Sequence, residues 1–151
     1  FYSEVERAKE TAEGVHKYQP DATFLEEPLA IDIDWGEWSG KTYREAMSEE
    51  DEKLFWSNPN VMEIPKGETF YQVLDRIHRL MFKIRNSPDE KVCIVSHGAV
   101  LNLFLCYAME APLSRFWDFY GAACSLTELD YDKKTHHFKL VRFNDTHHLT
   151  K

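Results

Sequence analysis

The stretch that most constrains this chain is Lys91–Val100. A short apolar run, Val92-Cys93-Ile94-Val95, stops at Ser96-His97-Gly98, and a second apolar run then begins with helical spacing. Unbroken hydrophobicity over so few residues predicts a strand buried on both faces, as in a parallel sheet covered by helices. His97 then stands where the carboxyl end of a central strand gives way to a helix, the edge at which open α/β sheets bind ligands. The free N–H groups and partial positive charge of a helix N-terminus favour anions there. A histidine beside a glycine at such a junction suits phosphate or carboxylate chemistry. The structural alternative is a histidine that only caps the helix or satisfies a buried acceptor.

The 151 residues suffice for one core, so a single domain over 1–151 is expected. Hydrophobic residues at 43% and aromatics at 14% place the chain among globular proteins. A net charge of −8 argues against nucleic acid or an anionic membrane as partner. It leaves room for an anionic small substrate, because a few basic groups in a cleft can dominate the local field. No apolar segment is long enough to span a bilayer. Cys93, Cys106 and Cys124 lie in apolar runs without metal-type spacing. They predict buried, reduced thiols and a cytoplasmic location.

Along the chain, Phe1-Tyr2-Ser3 reads as the end of a strand already in progress. Ser3, with Glu6 three residues on, predicts a capping box opening a helix through Tyr18. Ala22–Leu25 is a short strand candidate, and Leu29–Gly40, with Trp35, Gly36, Trp38 and Gly40, is an ordered loop. Short helices follow over Lys41–Met47 and from Ser48 through Trp56. Phe70, Val73, Leu74, Ile77, Leu80, Met81 and Ile84 then repeat at three- and four-residue steps, predicting a helix capped by Thr69. An apolar helix from Ala99 to Met109 follows the Val92–Ser96 strand. Leu113–Tyr120 is a short aromatic segment, Cys124–Tyr131 and His137–Phe143 are two strands joined by a polar turn, and the tail 144–151 is polar. The pattern is that of a single α/β layer protein.

Three groups are candidates to act beside His97. Arg7, in a helix just after a strand end, offers a permanently charged, bidentate clamp for phosphate. Asp32, in the glycine- and tryptophan-rich loop, can serve as a general acid, and Asp34 and Glu37 are equal rivals on sequence alone. Glu68 reads better as a first-turn acid that offsets a helix dipole. His136-His137 and His147-His148 carry no metal reading, because neighbouring strand residues point to opposite faces and no further ligands accompany them. Neither a glycine-rich phosphate loop nor a nucleophile elbow is present.

Taken together, the motifs resemble those of the histidine phosphatase superfamily, the phosphoglycerate-mutase-like proteins. Tyr2–Ala12 resembles its Ser-x-x-x-Arg-Ala-x-x-Thr-Ala stretch, and Leu29–Gly40 its Leu-x-Glu-x-x-x-Gly-x-x-x-Gly loop. Gly67-Glu68-Thr69 with Arg76 resembles its Gly-Glu-Ser…Arg segment, and Val95–Gly98 its second histidine motif. They stand in the family's order across nearly the whole chain. The resemblance implies a three-layer α/β/α fold with a mostly parallel central sheet. It implies that His97 is the second active-site histidine, that Arg7 clamps phosphate, and that the N–H groups of Gly98 and Ala99 add to the anion site. It places the general acid four residues before Gly36, at Asp32, where the family more often has glutamate.

The family's nucleophile is a histidine in an Arg-His-Gly motif on the first, central strand, which this sequence does not contain. That strand is expected immediately upstream of Phe1, so the 151 residues alone are expected to be inactive. A second segment or another copy of the chain is expected to cover the gap in the sheet. The activity implied for the complete protein is a phosphomonoesterase on a small phosphorylated metabolite, without metal or cofactor, through a phosphohistidine. A short Gly40–Gly67 interval favours phosphatase over mutase. Residues 41–66, with Phe55 and Trp56, are the expected lid that selects the substrate. The rival reading is an inactive phosphate- or phosphoprotein-binding pseudo-enzyme.

Overall fold

A computed structural model describes residues 1–149. Phe1-Tyr2-Ser3 is the middle of three parallel extended segments, with Tyr2 bridging Glu26 on one side and Val95 on the other. Four main-chain bonds make the pairing: Tyr2 N–H to Leu25 O at 3.0 Å, Glu27 N–H to Tyr2 O at 2.8 Å, Ser3 N–H to Val95 O at 2.9 Å, and Val95 N–H to Phe1 O at 3.0 Å. The strand expected at Ala22–Leu25 therefore pairs slightly later, at Leu25–Glu27. Near the C-terminus, β1 (Leu126–Tyr131) and β2 (Phe138–Asp145) form an antiparallel hairpin with Tyr131 opposite Phe138. The tail read as polar from residue 144 begins inside β2, and Thr150 and Lys151 lie outside the described residues.

Five α-helices accompany these segments among the described residues: α1 (Glu6–His16), α2 (Tyr43–Ala46), α3 (Glu49–Ser57), α4 (Phe70–Arg85) and α5 (Gly98–Ala108). The longest, α4, forms as its periodicity dictates. Phe70, Val73, Ile77, Leu80 and Met81 are buried on one face, and Thr69 caps it by accepting from Gln72 N–H while Gln72 Oε1 accepts from Thr69 N–H. Helix α5 buries Val100, Leu103 and Cys106 against the same core, and Phe55, Met62, Ile64 and Phe116 close it from the other elements. Asn102 is buried on α5, and its amide, oriented to donate, lies 2.8 Å from Phe119 O and 3.1 Å from Gly98 O.

Three expectations need correction. Helix α1 starts at Glu6 with Val5 at the cap position and no side-chain cap, so Ser3 does not open it. Val92–Ser96 is not buried on both faces: Cys93 is exposed and its neighbours are half-buried. Among the described residues this segment pairs along one edge only, with Phe1–Ser3, and the other flank stays open to solvent. Among the three cysteines only Cys106 is a buried thiol, with burial pushing its pKa up to about 11, while Cys93 and Cys124 are exposed.

No helix among the described residues is long and apolar enough to cross a membrane.

Candidate active site

The three residues named from widely separated motifs meet at the carboxyl end of the parallel segments. His97 is the N-cap residue of α5, in extended backbone directly after the Val95 pairing. Arg7 lies in the first turn of α1, just past the Ser3 pairing, and Asp32 follows the single turn Pro28–Ala30. Arg7 Nη2 donates to Asp32 Oδ2 at 2.7 Å and lies 3.0 Å from His97 Nδ1. Asp32 Oδ2 is 3.4 Å from the same ring nitrogen. The Arg7 side chain is 64% exposed, so it is open to solvent.

His97 itself is buried. Its other nitrogen, Nε2, lies 2.8 Å from the hydroxyl of Ser3, a residue with no exposed surface. Ser3 Oγ also accepts from Val5 N–H at 3.3 Å. Because a guanidinium can only donate, Nδ1 receives the bond from Arg7 and Nε2 carries the proton given to Ser3. Burial holds the imidazole below its ordinary pKa. Asp32 opposes that effect, and the positive charges of Arg7 and Arg76 reinforce it. At neutral pH the ring is uncharged.

Asp32 is thus separated from its rivals by position. Asp34 Oδ1 closes its own turn by accepting from Gly36 N–H at 2.8 Å, and Glu37 pairs with Lys66 at 2.6 Å. The N–H groups of Gly98 and Ala99 precede the first main-chain bond of α5, from Leu101 N–H to His97 O at 2.9 Å. A Cβ on Gly98 would meet no protein atom within 4 Å, so the space beside it is open. These N–H groups and the Arg7 guanidinium are donors of the kind that anions take.

Sequence reasoning missed the residues that hold these groups in place. Ser3 gave a capping signal and instead contacts a side chain 94 positions away. Ser96 Oγ donates to Ala30 O at 2.7 Å, tying the His97 junction to the loop that leads into Asp32. Glu68 precedes the Thr69 cap and so lies outside the first turn of α4. Both of its carboxylate oxygens accept from Arg76, at 2.9 and 2.7 Å, rather than offsetting a dipole.

The segment 41–66 is fastened by aromatic packing. Phe55 is 1% exposed, with ring contacts to Trp35, Trp38, Tyr43, Trp56 and Trp117, and its carbonyl accepts from Trp117 Nε1 at 2.7 Å. Such burial makes Phe55 an anchor of the segment, not a surface that a ligand touches; Trp56, at 47% exposed, remains accessible. Of the paired histidines, His136 Nδ1 is 2.8 Å from the Tyr131 hydroxyl and His137 lies 3.3 Å from Glu110. No group of three or more potential metal ligands occurs among the described residues.

Comparison with known proteins identifies the family and the fold. The chain is 27% identical over 128 residues to phosphoserine phosphatase 1 of Hydrogenobacter thermophilus, a match covering 83% of this chain and 60% of that protein. The chain therefore spans less than two thirds of the length of that relative. Among solved structures it superposes on the alpha-ribazole phosphatase of Shigella flexneri with a TM-score of 0.77 at 26% identity, covering 95% of this chain and 71% of that one. It superposes on YhfR of Bacillus stearothermophilus with a TM-score of 0.80 at 27% identity, covering 95% and 72%. The shared architecture is the phosphoglycerate-mutase-like α/β fold. Residues 1–146 match the histidine phosphatase superfamily (branch 1), and the chain belongs to that superfamily.

Proposed function

We propose that the complete protein to which this chain belongs is a metal-independent phosphomonoesterase acting on a small phosphorylated metabolite. The observation that carries the reading is the meeting of Arg7, Asp32 and His97 within hydrogen-bond reach at one sheet edge, from three distant parts of the sequence. The names of the relatives, phosphoserine phosphatase and alpha-ribazole phosphatase, support the substrate class.

In the proposed reaction a histidine outside these 151 residues attacks phosphorus, forming a P–N bond as the P–O bond to the alcohol breaks. It is carried on a strand that docks along the open flank of Val92–Ser96. Arg7 and the Gly98 and Ala99 N–H groups hold the equatorial oxygens, and His97 joins them once the dianion favours its protonated ring, whose Nδ1–H then donates. An arriving dianion draws the Arg7 donors from Asp32 onto itself, and its charge favours the protonated carboxyl. Asp32 then gives its proton to the leaving oxygen. Water attacks the phosphohistidine, Asp32 takes the proton back, and inorganic phosphate and free histidine result. Residues 41–66 form the lid, with Trp56 facing the substrate and Phe55 anchoring it.

The test is turnover of p-nitrophenyl phosphate by the full-length gene product in the presence of a chelator. Activity that survives chelation and is lost in His97→Ala is expected. Unchanged turnover in that variant overturns the site, and phosphate binding without turnover by the intact protein establishes the pseudo-enzyme instead.

A further inference from the structure

Arg76 projects from α4 and is only 13% exposed. A guanidinium has five N–H donors, and all five are met. Nε donates to Glu68 Oε1 at 2.9 Å, and Nη2 donates to Glu68 Oε2 at 2.7 Å and to Asp32 O at 3.3 Å. Nη1 donates to Leu29 O and Ile31 O, both at 3.0 Å. Ser96 takes the remaining carbonyl of the stretch, Ala30 O. Every main-chain oxygen from residue 29 to 32 is therefore held from outside its own segment.

Glu68 completes the fastening on the far side of Asp32. Its carboxylate accepts from Asp34 N–H at 3.1 Å, and its own N–H donates to Asp34 O at 2.8 Å. The two loops approach so closely that a Cβ on Gly67 would stand 2.4 Å from Asp34 O. The Asp32 side chain is thus aimed at Arg7 and His97 by a backbone clamped immediately before it, at its own carbonyl, and two residues after it.

We infer that Arg76, with Glu68 as its counter-ion, is a positioning residue for proton transfer: it fixes the backbone from which Asp32 reaches the leaving oxygen, and touches no substrate itself. The inference rests on the reading of Asp32 as the acid. It also explains why a lysine would not serve, since an ammonium has three donors and no planar fork to span Glu68 and three carbonyls.

The experiment compares two substrates in the full-length gene product. An alkyl phosphate needs its leaving oxygen protonated, whereas p-nitrophenolate leaves without help, so a misplaced acid harms the first selectively. For Arg76→Lys, kcat/KM on O-phosphoserine is expected to fall roughly tenfold or more beyond its fall on p-nitrophenyl phosphate, within the range that acid catalysis contributes. Glu68→Gln, which keeps the shape of the pair, is expected to show the same bias at smaller size, and it carries the test if Arg76→Lys unfolds. Asp32→Asn separates the two claims. Equal losses on both substrates in Asp32→Asn overturn the acid and this inference with it. A selective loss in Asp32→Asn beside equal losses in both Arg76→Lys and Glu68→Gln overturns the positioning role alone.

Discussion

Ser3 Oγ stands 2.8 Å from His97 Nε2, and neither side chain has appreciable contact with solvent. The contact fixes the ring plane, and Arg7, which can only donate, fixes the tautomer: Nε2 donates into the strand, and the lone pair of Nδ1 faces Arg7. A hydroxyl at the end of the first extended segment thereby sets how the histidine of the third presents itself to the site.

Replacing Ser3 by alanine leaves the Nε2 proton buried without an acceptor. The expected cost is about 1–3 kcal/mol of stability, read from urea unfolding of the chain. In the full-length protein the freed ring is also expected to weaken binding of inorganic phosphate, measured by calorimetry. Wild-type stability in Ser3→Ala would sink the assignment.

The depressed pKa of His97 makes a signed prediction. Between its ordinary value of about 6.5 and the lower folded value, the unfolded chain holds the extra proton. Stability from this group is present above that window and is lost as pH falls through it. The slope is bounded by about 1.4 kcal/mol per pH unit. His97→Gln is expected to flatten the fall, and unfolding titrations from pH 8 to pH 5 on both proteins check it. Parallel curves for the two proteins would contradict the burial argument.

Gly36 and Gly40 both have positive φ, 48° and 75°, but only one is crowded. A Cβ on Gly36 would sit 2.2 Å from Pro65 O, whereas one on Gly40 meets nothing within 4 Å. Gly40→Ala is expected to cost about 1 kcal/mol, from backbone conformation alone. Gly36→Ala must also part the two loops and is expected to cost at least about 2 kcal/mol. Thermal or urea unfolding ranks them, and the reverse order would refute the close approach.

Much of this molecule could be read from its sequence, for reasons that differ by element. Helix α4 announces itself because one buried face repeats with the helical period and Thr69 and Gln72 satisfy its first turn locally. The hairpin follows from alternation and a polar turn, and His97 from an apolar run broken at Ser-His-Gly. What escaped notice acts across the fold. Ser3 carries a capping signature indistinguishable from a real one, and only its partner 94 residues away reveals its task. The Arg76 fastening is invisible for a deeper reason: three of its five acceptors are carbonyls, which every residue possesses. The exposure of Cys93 depends on how many neighbours its segment pairs with, and hydrophobicity alone does not count them.

That reliance on carbonyls has an evolutionary consequence. Arg76 is blind to the identity of Leu29 and Ile31, because it grips what substitution at those positions does not alter. The side chains at those positions can therefore change in shape and polarity while Asp32 keeps its register with Arg7 and His97. A part-buried cation on a neighbouring helix lets the loop before Asp32 diversify without disturbing the carboxylate it carries.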